Sequence, residues 1–212
     1  MCIRDSFRLT SKTNAKRFYD ALQLSVIKEL DQNWAFNGSY TLAFYRGDSD
    51  ELLTRSFDNP RQNVYERGYL ADDHRHTVKG QFYYLFDWGL SIGVTGQYVT
   101  GGPYSSLYLN DYDGDYTNRR APRGKNTGED LNDPSDDRQN RLPDLLTFNL
   151  RASFNFKPLT GVDIEVIGEI FNLLNAGAVT SVDNRVTEEG GFGDTLNYQT
   201  PFSANLGLRY RL

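Results

Sequence analysis

The sequence predicts an all-β protein: the C-terminal part, about seven or eight strands, of an antiparallel transmembrane β-barrel larger than these 212 residues. Three observations carry that reading. Seven runs alternate apolar and polar residues with period two, as a strand with one apolar face does. Most runs match the roughly 9–11 residues that a tilted strand needs to cross a bilayer, where strands of water-soluble proteins average roughly 5–6. The connections alternate strictly between short and long, so every tight turn falls at one end of the strands, as in barrels with short periplasmic turns and long external loops.

The first run sets Phe18, Leu22, Leu24 and Val26 against Arg17, Gln23 and Ser25. After the short connection Glu29 to Asn33 comes the clearest run. There Trp34, Phe36, Gly38, Tyr40, Leu42 and Phe44 alternate with Ala35, Asn37, Ser39, Thr41 and Ala43. Residues 46–75 form the first long connection. The third run sets Val78, Phe82, Tyr84 and Phe86 against Thr77, Lys79 and Gln81, and Asp87-Trp88-Gly89 turns the chain back. The fourth run follows with Leu90, Ile92, Val94 and Tyr98 against Ser91, Gly93, Thr95 and Gln97. Residues 100–145 make the second long connection. The fifth run is Leu146, Phe148, Leu150, Phe154 and Phe156 against Thr147, Asn149, Arg151, Ser153 and Asn155. Lys157-Pro158-Leu159-Thr160-Gly161 reads as a tight turn, with Pro and Gly as its breakers. The sixth run sets Val162, Ile164, Val166 and Ile170 against Asp163, Glu165 and Glu169. After the third long connection, 176–201, the last run sets Phe202, Leu206, Leu208, Tyr210 and Leu212 against Ser203, Asn205, Gly207, Arg209 and Arg211.

Long connections would argue against a compact soluble domain, but external barrel loops are long as a rule. Aromatic residues gather where strands meet connections: Phe18 and Tyr19, Trp34 and Phe36, Phe44 and Tyr45, Phe86 and Trp88, and Tyr98. Amphipathic rings take that place at a membrane–water boundary. Each one singly is equally an ordinary β-core aromatic, and only their recurrence from strand to strand favours the membrane.

Composition agrees. There are 14 Tyr, 13 Phe and 19 Gly against a single Met, which suits strands and turns. No stretch approaches the roughly 20 apolar residues of a spanning helix, whereas a barrel strand shows lipid only every second residue. A net charge of -5 without a basic patch argues against nucleic acid as a partner. Cys2 is the one cysteine and cannot close an internal disulfide. Residues 1–14 lack the apolar segment of a signal peptide, and Met1 to Ser6 read as a truncated or non-native start, leaving 15–212 as barrel strands and loops. Seven strands is an odd count, while bacterial single-chain barrels have even ones, and open edges in lipid leave backbone groups unsatisfied. The expectation is a fragment whose missing strands lie upstream.

Several segments carry a resemblance by their order and spacing. They are Asp73-His74-Arg75-His76 before the third strand, Gly101-Gly102-Pro103-Tyr104 after the fourth, and Asp111-Tyr112-Asp113-Gly114-Asp115 with Asn118-Arg119-Arg120-Ala121-Pro122. Asn140-Arg141-Leu142-Pro143-Asp144 precedes the fifth strand, and Glu169-Ile170-Phe171-Asn172-Leu173-Leu174-Asn175 ends the sixth. Together they resemble TonB-dependent outer-membrane receptors, particularly the Oar-like branch. Leu206, Leu208, Tyr210 and Leu212 resemble the terminal strand that the barrel-assembly machinery reads, with Leu212 where the family usually has an aromatic. The resemblance spans roughly Asn14 to Leu212. It implies a bacterial outer-membrane barrel of about 22 strands with an N-terminal plug. Its partners would be outer-membrane lipid, an unidentified external ligand, and the inner-membrane TonB complex, reached through parts outside this chain.

Chemistry-bearing clusters are few. Asp111, Asp113 and Asp115 set carboxylates at alternate positions, which suits Ca²⁺. Gly114 and Pro122 break the EF-hand pattern, so a solvated acidic loop is the alternative. Tyr104, Tyr108, Tyr112 and Tyr116 are candidates to face an external ligand. His74 and His76 could share a metal, but no third ligand stands near them, and a structural role is the simpler reading. Asp163, Glu165 and Glu169 share a strand face, as a lumen-facing acidic column would. No catalytic set assembles: there is no G-x-S-x-G, and the glycines of 101–102 and 190–193 follow no strand-turn-helix pattern. The expectation is a receptor or transporter segment rather than an enzyme. The alternatives are a porin or structural barrel, or a soluble β-sandwich used for binding.

Overall fold

The computed structural model describes residues 16–47, 68–104, 107–108, 119–120, 140–186 and 191–211, the side chains of 107–108, 119–120 and 186 excepted. In chain order the strands are β1 (Arg17–Asp31), β2 (Trp34–Gly47), β3 (Gly68–Tyr69), β4 (His76–Leu85), β5 (Leu90–Val99), β6 (Leu107–Tyr108) and β7 (Arg119–Arg120). There follow β8 (Leu145–Asn155), a helical turn α1 (Lys157–Thr160), β9 (Ile164–Phe171), β10 (Val179–Val182), β11 (Arg185–Val186), β12 (Thr195–Tyr198) and β13 (Ser203–Tyr210). The seven long strands are those the alternation predicts. They form one antiparallel sheet in the order β1-β2-β4-β5-β8-β9-β13, with β3 added to the far end of β2. The sheet is not closed: β1 and β13 are its two edges.

Turn chemistry explains the short connections. Gln32 and Asn33 both take positive φ (49° and 72°), the two-residue hairpin geometry that matches strand twist. The first strand therefore runs on to Asp31, through the residues that the sequence reads as turn. Asn33 Nδ2 donates to Asp87 Oδ1 at 2.8 Å, which ties this turn to the next. Gly89 (φ 101°) packs so close to the Asn155 carbonyl that a Cβ would stand 2.3 Å from it. The turn after β8 closes as α1, with Pro158 in its first turn and Gly161 (φ 76°) as its left-handed cap.

Register keeps the two faces apart. Leu22 lies opposite Leu42, Phe36 opposite Phe82, Phe82 opposite Val94, Val94 opposite Leu150, and Leu150 opposite Ile170. A single-residue slip would move each of them to the polar face. Among the described residues nothing covers the apolar face. Val26, Leu206 and Leu208 are 64%, 84% and 73% exposed, while the buried apolar residues among the described ones are Ala43, Leu70 and Val99. A soluble sheet of this size buries one face to fold, and a contiguous exposed apolar face marks a surface meant for lipid or protein.

At the short-turn end the rings meet in a pair and in a longer run. Trp34 meets Phe82 at 6.1 Å, Phe86 meets Trp88 at 5.4 Å, Trp88 meets Phe154 at 5.7 Å, and Phe154 meets Phe156 at 4.7 Å. Lys28 Nζ lies 4.0 Å from the Trp34 ring centroid, an amphipathic pairing suited to a membrane boundary.

Candidate ligand-facing rim

The opposite end of the sheet, where the long connections leave it, is built around one carboxylate. Asp73 has a fully buried side chain. Its Oδ1 accepts the Tyr45 backbone N–H at 2.6 Å, and its Oδ2 accepts Arg75 Nε at 3.1 Å and Arg141 Nη2 at 2.5 Å. The other arm of the Arg141 guanidinium donates to the Asp73 carbonyl at 2.8 Å and the Gly101 carbonyl at 3.0 Å. The Arg75 guanidinium carbon lies 4.6 Å from the Phe44 ring centroid and 4.3 Å from that of Tyr69. A buried charge is tolerable only when it is paired and its lone pairs are filled, and both conditions hold here.

The same knot gathers the next two segments. His74 Nδ1 is 2.7 Å from the Thr100 carbonyl. Pro103 and Arg141 form an isolated bridge, Leu142 N–H donates to the Gly102 carbonyl at 3.0 Å, and Gly101 N–H donates to Asp144 Oδ1 at 3.1 Å. Asp144 also accepts the Tyr98 hydroxyl. Thus Asp73–His76, Gly101–Tyr104 and Asn140–Asp144, which sequence alone treats as separate motifs, are one woven base for two long connections. Glu169–Asn175 makes a second base. Asn172 (φ 47°) is buried; its Nδ2 donates to the Ala176 and Thr200 carbonyls at 2.9 and 2.8 Å, and its Oδ1 accepts Ala176 N–H at 3.0 Å.

Above these bases the connections are joined. β6 pairs with β7 and also, in parallel, with β11, so the 100–145 and 176–201 connections share a three-stranded sheet. β10 and β12 form a hairpin inside the latter. Strands of two to four residues are too short to show an alternation, which is why the sequence reads these segments as loops. Asp183, beyond β10, is held down to about 2 by the Arg185 guanidinium and then by the Arg185 backbone N–H, at 2.6 and 2.9 Å.

Of the sequence-derived candidates, Tyr104 stands on this rim, with its ring 5.9 Å from Phe192 of the neighbouring connection. Tyr108 has its backbone in β6. Asp111, Asp113, Asp115, Tyr112, Tyr116 and Leu212 lie outside the described residues. His74 and His76 do not converge: His76 Nδ1 is 2.8 Å from the Tyr40 hydroxyl, with the two rings stacked. Among the described residues no group of three or more His, Cys, Asp or Glu gathers as a metal site. Leu206, Leu208 and Tyr210 lie along the apolar face of the edge strand β13.

On the β8, β9 and β13 side the polar face carries paired charges. The acidic column of Asp163 and the adjoining strand β9 is neutralised from both sides: Glu169 accepts Arg151 at 2.7 Å, Glu165 accepts Arg209 at 3.1 Å, and Asp163 accepts Asn155 Nδ2 at 3.1 Å with Lys157 3.5 Å away. Further along, Asn37, Ser39, Lys79, Gln81, Gln97 and Asn149 line a hollow of about 340 Å³.

No family model matches the chain, and no curated protein matches it. Solved structures do. The ferripyoverdine receptor of the outer membrane of Pseudomonas aeruginosa superposes with a TM-score of 0.54 at 13% identity, over 92% of this chain and 20% of that one. The described sheet has the fold of a segment of an outer-membrane β-barrel. The ferric-catecholate import receptor Fiu of E. coli matches at a TM-score of 0.54 and 12% identity, over 92% of this chain and 21% of its own. The outer membrane transporter YddB of Escherichia coli matches at 0.55 and 14%, over 92% and 25%. The chain therefore spans about a fifth to a quarter of the length of the proteins it matches. At these identities the likeness concerns the fold, and the period-two pattern is the feature all of them can share without sequence similarity.

Proposed function

We propose that the chain is part of a TonB-dependent outer-membrane receptor, similar to the Oar-like branch, that binds and imports an external ligand. The observation that carries this reading is the division of labour between the two ends of the sheet. One end closes in turns of a few residues. The other raises long connections from two buried polar bases and cross-links them by β6, β7 and β11, which suits a rigid ligand-gathering surface. The fold match to outer-membrane receptors supports the same reading. Transport would need the plug and the segment that contacts TonB at the inner membrane. Tyr104 beside Phe192 is the described pair best placed to stack against a planar group of a ligand.

The test is to recover the coding sequence upstream of Asn14 and express the full-length protein. A signal peptide, a plug-like domain and further alternating strands, with the product in the outer-membrane fraction, are the expected result. Upstream strands without a plug would favour a passive porin. A genuine start at Met1 and partition into the aqueous phase would replace the receptor by a soluble β-sandwich.

A further inference from the structure

The apolar face has a hollow at its centre. Register places Gly38, Gly80 and Gly96 side by side on β2, β4 and β5. The Phe36 ring leans across Gly38 and the Phe148 ring across Gly96, so that a Cβ at either glycine would stand 2.7 Å from a ring carbon. Gly80, between them, is bare: nothing lies within 4 Å of where its Cβ would be. The result is a bowl of about 230 Å³. Gly80 and Gly96 form its floor, Phe36 and Phe148 its flanks, Phe82 its wall towards the short turns and Tyr98 its wall towards the long connections.

Two features identify the occupant. Gly80 and Gly96 lie on inner strands whose neighbours on both sides are already in the sheet, so strands added at either edge leave the bowl uncovered. The bowl is continuous with the exposed apolar face, and the hydroxyl on its wall, that of Tyr98, already donates to Asp144. It therefore offers dispersion contacts and asks for no hydrogen bond. Inside a bilayer apolar surface gains nothing by leaving water, and packing decides what binds. A hollow walled by rings forfeits contacts on every side unless a hydrocarbon segment enters it. Gly80 is also midway along the 10-residue strand β4, a depth that chain ends reach and headgroups do not.

We propose that this bowl is a lipid-binding site that seats the terminal segment of a membrane-lipid acyl chain. The assignment rests on the barrel reading above.

The experiment uses the full-length protein in phosphatidylethanolamine–phosphatidylglycerol vesicles doped with phospholipid carrying a nitroxide either near the chain end or near the headgroup. The wild type should restrict the chain-end label more than the headgroup-proximal one. Gly80→Leu, which fills the bowl from a position with ordinary φ, should abolish that difference, and Gly80→Ala should reduce it in part. Far-UV circular dichroism confirms the folded sheet in each variant, and quenching of Trp34 and Trp88 by brominated lipid confirms insertion. Equal restriction of the two labels by inserted wild type, or a difference that survives in folded Gly80→Leu, overturns the proposal. A photocrosslinker in place of Val78 that captures a protein instead of lipid overturns it in favour of a protein contact. Failure of the wild type to insert at all would remove the barrel reading itself, a result the quenching distinguishes from loss of the site alone.

Discussion

Asp73 and Arg141, 68 residues apart in the chain, meet at 2.5 Å, and the same guanidinium holds the backbone carbonyls of Asp73 and Gly101. One side chain thus ties the end of the first long connection to both ends of the second. Asp73 is the residue on which this depends, because its carboxylate has no water to fall back on.

Asp73→Asn should therefore destabilise the protein by about 3 kcal/mol, the cost of leaving two half-buried guanidinium groups without the buried counter-charge they share. Arg141→Lys should recover only part of the loss in Arg141→Ala, since an ammonium cannot span two acceptors and a carboxylate at once. Denaturant titration of the full-length protein measures both. Stability of Asp73→Asn within error of the wild type would show that the knot is incidental.

Gly101 is required for a steric reason. A Cβ there would stand 1.6 Å from the Leu142 carbonyl oxygen, and that contact is backbone against backbone. Gly101→Ala should push the 100–104 and 140–144 segments apart and raise protease cleavage in the second long connection. Gly177→Ala, with nothing within 4 Å of its added carbon, should leave cleavage unchanged. Equal cleavage of the two variants would refute the crossing.

The Asp183–Arg185 contact makes a pH prediction. The folded value of Asp183, about 2, lies below its ordinary 3.8. Its contribution is then fully present above about pH 4 and is lost as pH falls towards 2, because protonation removes the charge that Arg185 holds. Hydrogen exchange at the amides of Asp183, Arg185, Gly193 and Asp194, corrected for intrinsic rates, should rise across that window in the wild type. Asp183→Asn should show the faster exchange at every pH, with no step.

Trp34 and Trp88 belong to the two ring clusters at the short-turn end. In vesicles both should be quenched more by lipid brominated near the headgroup than by lipid brominated near the chain end, as befits a boundary belt. Quenching by aqueous acrylamide with no effect of either lipid would place this face in water.

The seven long strands were legible because period-two alternation is a local property: each strand records in its own residues which face meets apolar surroundings. Their polarity and the short-turn end followed from connection lengths. The strand ends were less legible. Gln32 and Asn33 show by composition that a turn is near, but only their positive φ angles carry β1 on to Asp31. The acidic column of Asp163, Glu165 and Glu169 was visible as a pattern, but its partners Arg151 and Arg209 sit on neighbouring strands, and register alone aligns them.

The sequence by itself determined the faces and the order of the seven long strands, because the choice of an apolar or polar side chain is made at every residue where it stands. Only the tertiary structure decided which polar groups close the rim, that Asp73 takes Arg141, that β6 lies beside β11, and that three glycines leave a hollow. Those pairings depend on contacts between segments tens of residues apart, and such contacts leave no period in the chain to read.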